Sequence, residues 1–178
     1  VAAGAASAAT LSESSVGDFS GDYRTPTVVA NGVTSISGTW KGGNDYDIFA
    51  LTGLKSGAQQ VTLKFAPITP IGPTDYSFSA GGTIKYLTTP FKYSAWEGST
   101  LANVIIQHWN RDGNFTYKIN LDDGFAGKLF LGLFGTYGSL SYTIDAPGNA
   151  AAVITPPPAP VPVPTPALPA PVPLPAGA

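Results

Sequence analysis

The sequence predicts an all-β protein: an antiparallel β-sandwich of jelly-roll type, set between an extended N-terminal arm and a polyproline II C-terminal tail. Three observations lead there. Between residues 17 and 147, short β-branched and aromatic runs alternate with Gly, Asn and Asp clusters, and no stretch sustains helical spacing. Several runs alternate apolar with polar residues, as a strand wet on one face does. Eleven of the twenty positions from 156 to 175 are proline, which lacks a backbone donor and fixes φ, so this segment cannot join a sheet. Three parts follow: an Ala-rich arm (1–16), a sandwich domain (17–147) and a Pro-rich tail (148–178).

Nine strands are expected, in order: 33–40 (VTSISGTW), 45–54 (DYDIFALTGL), 59–66 (QQVTLKFA), 75–80 (DYSFSA), 83–89 (TIKYLTT), 103–109 (NVIIQHW), 115–121 (FTYKINL), 128–137 (KLFLGLFGTY) and 140–146 (LSYTIDA). In the third, Val61, Leu63 and Phe65 share one face while Thr62 and Lys64 share the other. The same alternation places Phe115, Tyr117, Ile119 and Leu121 opposite Thr116, Lys118 and Asn120. By contrast LFLGLF is apolar on both faces, so its strand should lie centrally or beneath a further covering element, the tail or a neighbour. Gly81-Gly82 reads as a turn or kink between two short strands, and Asp112-Gly113 as a tight hairpin turn, because both residue types tolerate positive φ. Residues 90–100 have no period and read as a long surface loop. The expected core is Ile36, Ile48, Phe49, Val61, Leu63, Phe65, Phe78, Val104, Ile106, Tyr117, Ile119, Leu131, Leu133, Tyr142 and Ile144.

Composition excludes several functions. The net charge is −2, with nine basic residues scattered singly, so the chain carries no field for nucleic acid or anionic lipid. There is no cysteine, hence no disulfide framework, thiolate metal site or cysteine nucleophile. No run of eighteen apolar residues is present to cross a membrane as a helix. In the arm, Ala6, Ser7 and Ala8 form an A-x-A pattern like the end of a secretory signal, so export by a signal peptide is expected.

Catalysis is not expected. The only histidine, His108, lies in a strand-like run and reads as structural; the aspartates sit at turns, and no Gly-rich piece opens a helix to cradle phosphate. The one acidic constellation joins GDFSGDY (17–23) to GGNDYDIF (42–49). Calcium takes several hard oxygens, and Asp18, Asp22, Asn44, Asp45 and Asp47 could supply them if the arm side folds back on the second strand. Three tryptophans and eight tyrosines also raise a carbohydrate contact, extracellular polysaccharide being the partner, with Trp96 in its irregular loop the candidate platform.

Residues 35–65 (SISGTWKGGNDYDIFALTGLKSGAQQVTLKF) resemble the bacterial pre-peptidase C-terminal domain. The residues concerned are Ile36-Ser37-Gly38, Asp45 through Phe49, Gly57, and the alternating Val61, Leu63 and Phe65, with a closing strand pair at 127–146. The resemblance implies a jelly-roll sandwich in a secreted protein, sometimes calcium-binding and without catalysis of its own. At the other end Val172, Pro173, Leu174, Pro175 and Ala176 (VPLPA) resemble the recognition motif of exosortase-sorted proteins of Gram-negative bacteria. That implies an exosortase-type processing enzyme as partner and an extracellular or cell-surface location.

The expected function is therefore a non-catalytic extracellular structural protein, a surface or matrix component. The alternative is a carbohydrate-binding or protease-accessory module on a Pro-rich stalk. Self-assembly is expected through both ends. Residues 156–175 extend roughly 60 Å at about 3.1 Å per residue in polyproline II, enough to reach a neighbouring copy. Val161, Val163 and Leu168 would enter its apolar grooves, and the arm, with Val1 and Leu11, would add a strand to its sheet edge, giving a head-to-tail polymer.

Overall fold

A computed structural model describes residues 8–151. Ten strands form: β1 (Ala9–Ser12), β2 (Thr27–Val29), β3 (Val33–Lys41), β4 (Asp45–Leu51), β5 (Gln59–Pro67), β6 (Ser79–Leu87), β7 (Ser99–Gln107), β8 (Thr116–Leu121), β9 (Leu129–Tyr137) and β10 (Ser139–Asp145); a helical turn, α1 (Glu13–Val16), follows β1. They build two five-stranded sheets, β1-β3-β10-β5-β8 and β2-β4-β9-β6-β7, packed as a sandwich. The fold class is the expected one. Pairing is antiparallel except at two edges, where β1 runs parallel to β3 and β2 parallel to β4.

Inward-facing residues of both sheets make one core. Its largest fully buried members include Trp40, Phe49, Ile36, Leu63, Ile106, Ile119, Leu129 and Leu131. Of the expected core, Phe78 and Tyr117 are only half-buried against it. Ile48 joins a second cluster with Ala50, Phe91, Ala95, Phe130 and Phe134, on the outer face of the second sheet. This cluster accounts for the two-faced LFLGLF: β9 is central, and the loop before β7 covers its outer face. Trp96 of that loop stacks on Phe134 with ring centroids 4.1 Å apart.

Several expectations are corrected or refined. Residues 75–78 form turns rather than a strand, and Gly81-Gly82 lies inside β6 as a kink rather than a turn, the pairing with β9 slipping between the two glycines. Glycine is needed there because a Cβ on Gly82 would meet the Phe134 carbonyl oxygen at 2.1 Å, and one on Gly81 the Val104 oxygen at 2.3 Å. Asp112-Gly113 does not close a hairpin. β7 pairs with β6 in one sheet and β8 with β5 in the other, so the turn carries the chain between layers, and neither residue has positive φ. The irregular stretch 90–100 holds a 3-10 turn, Ala95–Glu97, and its last two residues open β7. Finally, residues 9–12 of the arm lie as β1 on the chain's own β3 rather than on a neighbour's edge, and Leu11 packs against its own core. A strand of small residues beside an open edge pairs where the local concentration is highest, within its own chain.

Candidate metal centre

The acidic site is assembled where the segment after β1 crosses the open side of the sandwich, between β3 and β4. The Gly42-Gly43-Asn44 turn delivers β4, with Gly43 and Asn44 at φ 96° and 77°. Asp45 closes that turn by accepting from the Lys41 backbone N–H at 2.6 Å. Two residues on, and so on the same face of the strand, Asp47 points between the sheets and is fully buried. Its Oδ2 accepts from the Tyr142 hydroxyl at 2.6 Å, while Oδ1 is buried with no hydrogen-bond partner. Gly38 makes that contact possible, since a Cβ there would meet the Tyr142 hydroxyl at 2.4 Å.

The third carboxylate arrives from the other side. Gly17, at φ 88°, bends the chain after α1, and the Phe19 ring anchors it edge-on against Phe49 at 5.0 Å. Asp18 is thereby held over β4, and one carboxylate oxygen from each of Asp18, Asp45 and Asp47 lies within 4.8 Å of the others. Glu13 braces the approach, its Oε2 accepting from the Thr39 N–H at 2.6 Å and the Thr39 hydroxyl at 3.0 Å. A trough of about 960 Å³ opens above, lined among others by Glu13, Asp18, Asp45 and Tyr142.

Burial pushes the Asp47 carboxyl up to about 7; the Tyr142 hydrogen bond opposes this, and the charges of Asp45, Glu13 and Asp18 add to it. Burial and the adjacent Asp47 likewise raise the Tyr142 phenol. Three carboxylates lie close together and one inner oxygen has no donor, a crowding that either a proton on Asp47 or a cation among the three would offset. The donor set is all hard oxygen, which suits calcium rather than a softer metal.

No protein-family model matches the sequence, and no curated protein does. Solved structures similar in fold include the pre-peptidase C-terminal domain of a collagenase from Bacillus anthracis, at 16% identity over 68% of this chain and 93% of that one, with a TM-score of 0.38. PliG of Aeromonas hydrophila, a periplasmic inhibitor of g-type lysozyme, is similar at 15% identity over 77% of this chain and 98% of that one, with a TM-score of 0.38.

Of the five residues expected to bind calcium, the fold brings together Asp18, Asp45 and Asp47. Asp22 is engaged elsewhere, its Oδ1 accepting from the Arg24 N–H at 2.9 Å, and Asn44 Oδ1 accepts from the Tyr46 hydroxyl at 3.1 Å. Glu13 and Tyr142 were missed: one lies in the arm, the other in a core strand, and only the tertiary fold brings them to Asp47. His108 is structural, with Tyr76 packed on its ring at 4.5 Å and Arg111 Nη1 3.2 Å from its Nε2. Trp96 is 41% exposed but gives one face to Phe134; Trp109, at 76%, is the more open tryptophan. Val1, Val161, Val163, Leu168 and the motif Val172, Pro173, Leu174, Pro175 and Ala176 lie outside the described residues.

Proposed function

We propose that this chain is a non-catalytic β-sandwich module of an exported, surface-associated protein, and that calcium ties its N-terminal segment to the body. One observation carries the calcium reading: the fully buried Asp47, with an unpartnered Oδ1 beside Asp18 and Asp45. Asp45 and Asp47 would hold the ion from β4, Asp18 from the N-terminal side, and Glu13 would keep that side in place through Thr39. The ion supplies no chemistry beyond charge compensation. What it achieves is mechanical, a link between a segment that would otherwise fray and the edge of the sandwich.

Calorimetric titration of the full chain with calcium chloride, beside thermal melts in calcium and in chelator, tests this. Binding with a higher Tm in calcium, both lost in Asp47→Asn, supports the reading. No heat and an unchanged Tm would overturn it. Export is supported by the VPLPA motif and by a sequence only 11% charged. Recovery of the native protein from the medium or the cell surface supports that part, whereas retention in the cytoplasm overturns it. A second reading is a carbohydrate contact at Trp109, supported by its exposed ring on the 3-10 turn; glycan binding that disappears in Trp109→Ala would establish it.

A further inference from the structure

β7 is the outermost strand of its sheet, with no strand beyond it among the described residues. Its nine residues, STLANVIIQ, include no charge and no proline, so it lacks the side chains that usually keep an outer strand from recruiting another. The other edges differ: β8 carries Lys118, and β1 and β2 are four and three residues long. In an antiparallel ladder a residue's N–H and C=O point to the same side, and that side alternates along the strand. Asn110, in the 3-10 turn that follows, meets two such groups: its Oδ1 accepts from the Gln107 N–H at 2.6 Å, and its Nδ2 donates to the Ile105 carbonyl at 3.0 Å. An acceptor for one residue and a donor for the residue two before it are what the backbone of a further strand would present. At the other end of β7 the pairing with β6 slips between Ile84 and Lys85, skipping Leu101, and such a bulge breaks an edge for pairing. The side chain of Ile105, at the first of these interruptions, stands 47% exposed.

We propose that Asn110 is an edge stop: its amide occupies outer hydrogen-bonding positions of β7 and keeps a second copy of this chain from extending the sheet there. A second copy is the fitting occupant because pairing β7 with β7 sets one uncharged strand against another. No charged side chain of the strand need be desolvated, and both copies of Ile105 gain cover. The bond from the Gln107 N–H to Oδ1 also caps the 3-10 turn, and a cap alone would predict only local loosening on its loss.

Sedimentation velocity on the full chain across a concentration series separates the two roles. Asn110→Ala is expected to self-associate at least about tenfold more tightly than the parent chain. Adding Asn103→Lys, a charge at the exposed centre of β7, is expected to return it to the parent's behaviour. Hydrogen exchange at the Asn103 and Ile105 amides should slow with concentration in Asn110→Ala. Asn110→Ser shortens the side chain and removes the amide donor to Ile105 without adding a charge, so it should fall between parent and alanine variant, and it serves if the alanine variant fails to fold. Association of Asn110→Ala and Asn110→Ser no tighter than the parent's, or association that persists with Lys at position 103, would overturn the proposal.

Discussion

A single buried carboxylate sets the pH behaviour expected of the site. Asp47 has its folded value raised to about 7, well above the ordinary 3.8, so without a cation the folded protein holds a proton that the unfolded chain has released. Stability from this group is complete below about pH 4 and is lost as pH rises through 7, a change of at most about 4 kcal/mol. Chemical denaturation in chelator should therefore show the parent chain losing stability between about pH 4 and 7, the window just derived, and Asp47→Asn losing much less. Calcium should flatten the parent's loss, since it binds the ionised form. Glycine carries the opposite lesson at the same scale. Gly82→Ala places a methyl 2.1 Å from the Phe134 carbonyl oxygen, an atom of the central strand that cannot swing away, so a loss of at least about 3 kcal/mol is expected in urea melts.

Strands were legible where alternation was local. In β5 and β8 the inward set, Val61, Leu63, Phe65 and Ile119, could be read directly, because the two-residue period alone decides which face is apolar. Leu131, fully buried in the central β9, follows the same logic: Leu131→Ala should cost about 2–5 kcal/mol in equilibrium denaturation, with Ile105→Ala on the exposed side of β7 costing far less. What could not be read was pairing. Asp112-Gly113 has the residues of a hairpin turn, yet whether two strands meet in one layer or in two is decided by the core they bury into. β1 and β2 escaped notice because each is short and gains its hydrogen bonds from a distant parallel edge. The site divides the same way: Asp45 and Asp47 share a face by spacing, whereas Tyr142 joins them only because β10 returns beside β3.

At the scale of the whole molecule, the N-terminal segment closes the sandwich on one side, and its removal separates what it does for folding from what it does for the edge. β3 is paired to β10 along residues 35–41, so the body does not depend on β1 for its sheet. Deleting residues 1–16 should leave the far-ultraviolet spectrum that of a β-protein and lower the Tm, because Leu11 no longer packs on the core and the Thr39 N–H loses its Glu13 acceptor. Calcium binding should weaken without vanishing, since Asp18, Asp45 and Asp47 all remain. The deletion also uncovers the nine-residue β3, whose outward hydrogen-bonding groups beside β1 then lack partners. The truncated chain should accordingly associate in light scattering as concentration rises. A synthetic peptide of residues 8–18 supplied in trans should raise the Tm and reverse that association, and do so at lower peptide concentration when calcium is present. A truncated chain that melts like the parent, stays monomeric and ignores the peptide would show that the segment merely decorates the edge it covers.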